Sequence, residues 1–219
     1  MPQRQALIFA NGEPNDGAMV RRTLTAAPDA HIIAADGGAR VAWYYGRIVQ
    51  TVIGDMDSLT EDELAQLEAG GASVYRYPPA KNETDLELAL IWAAERGMDW
   101  LRIIGGIGDR FDQTLANVYL MALPQLSVLN VALVAGRQRL RLLRGGTHEV
   151  RGQPDDTISL MPVGGDVRDI TTQGLGYALD HETLYFGPAR GISNVMAAER
   201  AQITFASGLL LMIHTLGRA

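Results

Sequence analysis

The sequence predicts a mixed α/β protein: an N-terminal three-layer α/β/α domain with a mostly parallel sheet, followed by a C-terminal antiparallel β-sandwich. Short apolar runs alternate with helical patterns up to about residue 135, and this alternation indicates βαβ units. Beyond that point, short runs separated by turn residues are typical of a sandwich or barrel, without a convincing helical pattern. We therefore place the domains at residues 1–136 and 137–219.

Six short apolar runs predict the strands of the first domain, because each is bounded by glycine, proline or other turn residues. They are Gln5–Ala10, His31–Ala35, Val49–Ile53, Ser73–Tyr77, Trp100–Ile104 and Val128–Val134. Helical patterns lie between these runs, at Asp16–Ala26, at Ala39–Tyr45, from Thr60 to about Gly70, from Thr84 to Gly97, and at Phe111–Leu123.

Three helix starts carry recognisable capping residues. Threonine followed three residues later by glutamate is a capping box, and it occurs at Thr60–Glu63 and again at Thr84–Glu87. Asn15 or Asp16 is the expected cap of the first helix.

The second domain is predicted from turns as much as from strands. Expected strands are Thr157–Pro162, Thr183–Phe186, Gln202–Phe205 and Leu209–His214. Turns are expected at Gly145–Gly146, Pro154–Asp156, Gly164–Asp166, Asp180–His181 and Gly187–Pro188. Arginines precede them in a partly alternating stretch, and we expect these to form a solvated strand face that resists aggregation: Arg137, Arg139, Arg141 and Arg144.

Composition excludes several classes of function. A net charge of −6 argues against a general nucleic-acid binder, which would be basic. The chain has no cysteine, so disulfides, thiolate catalysis and zinc–cysteine sites are excluded, and a reducing cytoplasm is compatible. Residues 1–12 lack the pattern of a signal peptide, and the apolar run Leu209–Ile213 is too short to span a bilayer. We expect a soluble, cytoplasmic protein that binds neither nucleic acid nor membrane.

Acidic residues follow several predicted strands. Asp55 and Asp57 come directly after the third strand, Asp36 follows the second, and Asp85 opens a helix. Because ligands of parallel sheets bind outside the carboxyl ends of the strands, these acids could share one rim. Carboxylates together with substrate phosphates are the usual ligands of Mg²⁺. Each acid also has a purely structural role, as a turn former or at a helix start, so the set rather than any member indicates a metal site.

A glycine-rich segment follows the fifth strand. Gly105, Gly106 and Gly108 could bring backbone N–H groups close to phosphate, and Arg110 could supply a permanent cation. The spacing matches neither a P-loop nor a dinucleotide fingerprint. Asp112 could bind metal or orient Arg110. Lys81 is the only lysine of the chain, and it lies where it could also contact a phosphate.

The residues alone leave three functions open. The preferred one is a magnesium- and nucleotide-dependent phosphotransfer enzyme. A metal-dependent nucleotide-sugar glycosyltransferase also uses Asp-x-Asp beneath a nucleotide diphosphate. A non-catalytic nucleotide- or vitamin-binding protein could keep the same pocket without turnover.

Taken in order along the chain, these motifs resemble the thiamine pyrophosphokinase (thiamine diphosphokinase) family. The resemblance covers nearly the whole sequence through six segments: Asp36–Ala39, Gly54–Ser58, Thr84–Ala89, Gly105–Gln113, Thr171–Leu175 and Gly191–Asn194. Gln113 stands where many bacterial members have histidine, and Tyr177 where an aromatic residue, often tryptophan, is common.

The resemblance implies transfer of the diphosphoryl group of ATP to the hydroxyl of thiamine, releasing AMP, with Mg²⁺ as cofactor. It implies a homodimer, with thiamine bound between subunits. It makes Asp55, Asp57 and Asp85 the expected metal ligands and catalytic residues. Asp36 and Asp112 are the other expected catalytic residues, one of which orients the thiamine hydroxyl or accepts its proton. The expected contacts to ATP are Asn11, Gly37, Gly38, Ser58, Lys81, Thr84, Gly105, Gly106, Gly108, Arg110 and Gln113. Those to thiamine are Tyr177, Ser193 and Asn194.

Overall fold

The computed structural model describes residues 4–218, and the chain forms two compact units, Met1–Gly136 and Arg137–Ala219. The first unit contains a parallel sheet with helices between its strands, and the second contains antiparallel strands. The predicted mixed α/β fold class is therefore confirmed. Among residues 4–218, no helix is both long enough and apolar enough to cross a membrane.

Six strands and five helices alternate in the first unit. The strands are β1 (Gln5–Phe9), β2 (His31–Ala35), β3 (Thr51–Gly54), β4 (Ser73–Arg76), β5 (Trp100–Ile104) and β6 (Asn130–Ala135). The helices are α1 (Ala18–Ala26), α2 (Gly38–Tyr44), α3 (Glu61–Ala69), α4 (Asp85–Glu95) and α5 (Phe111–Leu120), and a short 3₁₀ turn follows at Pro124–Leu126.

The strand order β6-β5-β1-β2-β3-β4 creates a switch point beside β1. From β1 the chain adds β2, β3 and β4 on one side, whereas β5 and β6 lie on the other. Right-handed crossovers that run in opposite directions place their helices on opposite faces of a sheet. Helices α1–α3 therefore cover one face, and α4 and α5 the other. The crevice that such a switch creates lies at the carboxyl ends of β1 and β5.

Burial on both faces explains why the strands read as continuous apolar runs rather than alternating ones. Leu7, Ile8 and Phe9 in β1 have no exposed surface, and the same holds for Ile33 in β2 and Ile103 in β5. This rigid sheet fixes the positions at which the loops leave its carboxyl edge.

The predicted capping residues are confirmed for α3 and wrong for α1. Thr60 and Glu63 form the predicted capping box of α3, with both reciprocal hydrogen bonds present. The predicted cap of α1 is wrong, because the helix begins at Ala18 after Gly17, without a side-chain cap. Asp16 instead pairs with Arg21, and Asn15 donates a hydrogen bond to the Ile107 carbonyl at 2.8 Å.

The second unit is built on three long antiparallel strands. These are β7 (Gln138–Arg151), β8 (Thr157–Gln173) and β11 (Arg200–Thr215), with short strands β9 (Glu182–Leu184) and β10 (Asn194–Val195) pairing with β8. β11 lies between β7 and β8 in the sheet. Leu143, Ile170, Ile203, Phe205 and Leu210 belong to its buried core.

Two of the predicted turns are wrong, because their glycines lie inside long strands. Gly145–Gly146 is part of β7, and Gly164–Gly165 is part of β8. The pairing of β11 changes register between Phe205 and Leu209 against β7 and between Ser207 and Leu209 against β8, at the level of these glycines. Glycines at a bulge bend a strand without ending it, which is why their sequence signal resembles that of a turn.

The predicted solvated arginine face is also wrong for three of its members. Arg139, Arg141 and Arg144 in β7 are half-buried, and burial lowers the pKa of the Arg139 and Arg141 guanidinium groups. Arg139 Nη2 lies 3.2 Å from Nδ1 of His214, its cross-strand partner on β11. Alternation along a strand predicts two faces, but it does not say which one faces solvent.

Candidate active site

A cavity of about 380 Å³ opens in the first unit at the switch point. Segments that follow β1, β2 and β5 contribute to its wall, together with the first turns of α4 and α5. The lining residues are Ala10, Asn11, Gly12, Ala35, Asp36, Ser58, Thr84, Asp85, Leu86, Gly105, Gly106, Gly108, Asp109, Arg110, Gln113, Thr114 and Asn117.

Three carboxylates converge where β2 and β3 end. One oxygen from each of Asp36, Asp55 and Asp57 lies within 4.8 Å of the others. The cause is the sheet itself, because β2 pairs with β3 and the Asp36 N–H donates to the Ile53 carbonyl at 2.8 Å. Asp36 also lines the cavity, whereas Asp55 and Asp57 lie outside the set of lining residues.

Asp36 is the buried member of this acid cluster. Its side chain is almost fully buried, and its Oδ2 accepts a hydrogen bond from the Ser58 N–H at 3.2 Å. Its Oδ1 is buried and has no hydrogen-bond partner among residues 4–218. A carboxylate oxygen in that state carries a desolvation penalty that a cation would offset.

Asp85 approaches the same point from the start of α4. A Cβ added to Gly54 would come within 2.9 Å of the Asp85 carboxylate and 3.0 Å of the Asp36 Cβ, so Asp85 can pack this closely only against glycine. Asp85 is not part of the group within 4.8 Å, and Lys81 Nζ lies 2.8 Å from Asp55 Oδ2 and 3.1 Å from Asp85 Oδ1. Burial raises the pKa of Asp85, and the neighbouring ammonium partly offsets that shift.

The glycine segment after β5 packs directly against the loop after β1. The Gly12 N–H donates to the Gly105 carbonyl at 2.9 Å, and a Cβ on Gly105 would lie 2.4 Å from the Ala10 carbonyl oxygen.

Gly37 and Gly38, which we expected to contact ATP, do not line the cavity. A Cβ on Gly38 would come within 2.0 Å of the Phe9 carbonyl oxygen, so this glycine lets α2 begin close to β1.

Sequence reasoning missed two polar residues of α5. Thr114 accepts a hydrogen bond from the Gly108 N–H at 3.2 Å, and Asn117 donates to the Gly106 carbonyl at 2.8 Å. Both line the cavity and hold the glycine segment. Their position in the helix could have indicated this role. Thr114 lies four residues after Arg110 and Asn117 four residues after Gln113, and residues four apart lie on the same face of a helix.

Arg110 and Asp112 form an exposed ion pair at the start of α5. Arg110 lines the cavity, and its Nε donates to Asp112 Oδ1 at 3.2 Å. Hydrogen bonding to Arg110 lowers the pKa of Asp112. Of the three roles expected for Asp112, which are binding metal, orienting Arg110 and orienting the thiamine hydroxyl, this contact supports the orientation of Arg110.

A clamp made of Arg40 and Glu63 holds the segment that carries Asp57. Arg40 Nη2 donates to the Ser58 carbonyl and to Glu63 Oε2, at 2.6 Å each. The same Glu63 oxygen accepts from the Thr60 N–H at 2.8 Å, within the capping box. The hydrogen bonds from Arg40 and Thr60 lower the pKa of Glu63 to about 2.

We predict that Glu63→Gln destabilises the protein in a pH-dependent way. The folded-state pKa is about 2 and the reference value is 4.5, so the charged form stabilises the fold above pH 4.5. This contribution is lost as the pH falls from 4.5 toward 2. The variant should lose about 1 kcal/mol at pH 7 in urea unfolding, and less at pH 3.5. Glu61→Gln on the same helix is the control, and an equal loss at both pH values would contradict the prediction.

The three residues expected to contact thiamine lie together in the second unit, but they differ in exposure. Tyr177 is 72% exposed, Ser193 is exposed, and Asn194 is buried. Asn194 Oδ1 accepts hydrogen bonds from the N–H groups of Tyr177 and Val195, and its Nδ2 donates to the Tyr177 carbonyl. The Asn194 side chain is therefore engaged by backbone, and it fixes the turn that presents Tyr177.

We predict that Asn194→Ala lowers the free energy of unfolding by about 1–3 kcal/mol, because it removes the three hydrogen bonds that the buried Asn194 side chain makes with the backbone of Tyr177 and Val195. Urea unfolding measures the loss. Tyr177→Ala is the matched control, since it keeps those backbone groups and removes only an exposed ring, and it should stay within about 0.5 kcal/mol of wild type. Equal effects of the two substitutions would refute this assignment.

Two family models match the chain. Residues 24–133 match the thiamin pyrophosphokinase catalytic domain, and residues 147–210 match the thiamin pyrophosphokinase vitamin B1 binding domain. The matched ranges contain the acid cluster and the glycine segment in the first case, and Tyr177, Ser193 and Asn194 in the second.

Individual proteins show the same similarity. The thiamine pyrophosphokinase of Bacillus subtilis (strain 168) is 30% identical over 195 residues, which is 88% of this chain and 91% of that protein. A crystal structure of the Bacillus subtilis enzyme aligns with a TM-score of 0.84 at 29% identity, covering 97% of this chain and 99% of that one. A thiamin pyrophosphokinase family protein from Enterococcus faecalis shares the fold, with a TM-score of 0.86 at 23% identity over 98% and 100% of the two chains.

Proposed function

Since the chain belongs to the thiamine pyrophosphokinase family, we propose that it transfers the diphosphoryl group of ATP to the hydroxyl of thiamine. Thiamine diphosphokinase activity, a transferase activity, follows from that membership. The thiamine hydroxyl oxygen forms a bond to the β-phosphorus, and the bond between that phosphorus and the α,β-bridging oxygen breaks. The products are thiamine diphosphate, AMP and the proton of the hydroxyl.

The acid cluster fits a divalent cation. Three carboxylate oxygens lie within 4.8 Å of one another, and the buried Asp36 Oδ1 has no hydrogen-bond partner within residues 4–218. The unpaired Asp36 oxygen is the observation that carries the proposed metal-dependent activity. Asp36, Asp55 and Asp57 would hold Mg²⁺, with Asp85 beside them. The ion would polarise phosphate oxygens and neutralise the charge that develops on them.

The glycine segment and α5 would hold the triphosphate. Arg110 lines the cavity and carries a permanent charge for phosphate oxygens, while Asp112 fixes its orientation. Thr114 and Asn117 keep the glycine backbone in place through the bonds already described. Ser58, Thr84 and Gln113 line the same cavity and would add neutral polar contacts.

Holding the two reactants in line is the main contribution expected of such a site, because positioning can lower a barrier by roughly 7–11 kcal/mol. Tyr177 would stack on a ring of thiamine, and Ser193 would add a hydrogen bond. Asn194 would act indirectly, since its side chain holds the Tyr177 backbone. We further propose a cytoplasmic homodimer, on the strength of the family resemblance.

The proposal is tested by measuring AMP and thiamine diphosphate after mixing the purified protein with ATP, Mg²⁺ and thiamine. We expect the two products in equal amounts, with no turnover when thiamine is omitted or when the metal is chelated. A folded protein that forms neither product would refute the proposal. Family membership disfavours the glycosyltransferase and the non-catalytic binding protein considered above.

A further inference from the structure

The single lysine of the chain sits inside the acidic site. Lys81 Nζ donates to Asp55 Oδ2 at 2.8 Å and lies 3.1 Å from Asp85 Oδ1. The contact between Lys81 and Asp85 is an ion pair without good hydrogen-bond geometry. The hydrogen bond of the ammonium is therefore the one to Asp55. The side chains of Lys81 and Asp55 are each 11% exposed. This burial separates the contact from surface salt bridges, which contribute little.

Lys81 and a metal ion would both bind the carboxylate of Asp55. Its Oδ2 accepts a hydrogen bond from Lys81 Nζ at 2.8 Å, and its Oδ1 accepts one from the Asp57 N–H at 3.2 Å. Each carboxylate oxygen has two lone pairs, so it can keep its hydrogen bond while it binds a cation. A cation bound to Asp55 would nevertheless lie close to the Lys81 ammonium, and the two positive charges would repel each other.

The choice of lysine is informative in a chain with eighteen arginines. An ammonium is a compact point charge, whereas a guanidinium is a planar fork that binds one carboxylate in bidentate fashion. The compact ammonium of Lys81 places a point charge between two carboxylates, as a metal ion would.

We propose that the Lys81 ammonium is a built-in counter-ion that links Asp55 and Asp85 in the metal-free protein and leaves Asp55 when the divalent cation binds. This inference rests on the proposed function, because it takes the acid cluster as the metal site. It assigns Lys81 a positioning role: the lysine keeps the acids close before the cation arrives, and it is released toward the phosphates afterwards. Metal binding is therefore accompanied by loss of the contact between Lys81 and Asp55. This loss lowers the affinity for the metal as long as no nucleotide is bound.

Removing the ammonium should strengthen metal binding. We expect nucleotide-free Lys81→Met to bind Mg²⁺ at least about tenfold more tightly than wild type in calorimetry, because a competing positive charge is gone. In a chelator, the same variant should melt at a lower temperature than wild type, and saturating Mg²⁺ should abolish the difference. Arg21→Met, which removes the exposed partner of Asp16, is the matched control and should change neither quantity. Unchanged or weaker affinity in Lys81→Met overturns the inference.

A second measurement needs no variant. Because the chain contains one lysine, labelling with lysine that carries ¹⁵N at Nζ yields one side-chain nitrogen signal in NMR spectra. We expect this signal to shift as Mg²⁺ is added to nucleotide-free wild type, with the same midpoint as calorimetric binding. A signal that stays constant while metal binds overturns the inference even if Lys81→Met fails to fold, and so does the absence of metal binding. Release of AMP by wild type tests the proposed function separately.

Discussion

Asp57→Asn is expected to lower turnover by about 10³-fold while leaving the free energy of unfolding within about 0.5 kcal/mol of wild type. Asp57 is exposed, and its side-chain oxygen accepts only a weak hydrogen bond from the neighbouring Ser58 hydroxyl at 3.2 Å. Little of the fold depends on its charge. The proposed metal site does depend on it, because the amide oxygen of asparagine is neutral and binds a divalent cation more weakly than a carboxylate oxygen. Formation of AMP measures turnover, and urea unfolding measures stability.

Asp62→Asn is the control for that experiment. Asp62 is also an exposed aspartate, it lies in the first turn of α3, and it is outside the acid cluster. It should retain full activity. If Asp57→Asn kept most of the activity, Asp57 would be a turn former and nothing more. If it unfolded the protein, the acid would have the structural role that aspartates in turns commonly have.

The carboxyl-end location of the site could be predicted because strand ends are marked locally in the sequence. β2 and β5 have the predicted bounds, and the acids and glycines follow their strands by only a few residues. No local sequence signal shows which strands are neighbours in the sheet. Asp36 and Asp55 meet because β2 pairs with β3, and no pattern within either segment states that pairing. Lys81 was expected at a phosphate for the same reason, since its contact with Asp55 spans 26 positions.

The second unit was harder to predict, because glycine has two uses in a β protein. It ends strands at turns, and it also bends strands at bulges, where backbones approach closely. A Cβ on Gly145 would lie 2.6 Å from the Ala206 carbonyl oxygen, and one on Gly208 would lie 2.7 Å from that of Asp166. Both glycines therefore allow neighbouring continuous strands to approach each other closely. The sequence shows the glycines, but it does not show which strand lies beside them.

Gly105→Ala is expected to have the largest effect on stability, a loss of about 4 kcal/mol. Two costs combine: Gly105 has φ of +75°, which L residues adopt only with strain, and the new Cβ would lie 2.4 Å from the Ala10 carbonyl oxygen. That oxygen belongs to backbone at the end of β1, where the Ala10 N–H donates to the Ile104 carbonyl, so neither strand can move without breaking the sheet at the switch point. Urea unfolding measures the loss, and calorimetry with ATP should show weaker binding in any fraction that folds.

The matched control is Gly108→Ala, three residues further along the same segment. Its φ lies outside the left-handed region, and its added Cβ would have no neighbour closer than 3.7 Å, which is ordinary contact. This substitution should change the free energy of unfolding by less than about 1 kcal/mol, and restricting the unfolded chain could even make the protein more stable. Similar losses in both variants would mean that glycine is needed along the whole segment for flexibility. A loss confined to Gly105→Ala would instead place the requirement at the contact between the β1 and β5 loops, on which the shape of the cavity depends.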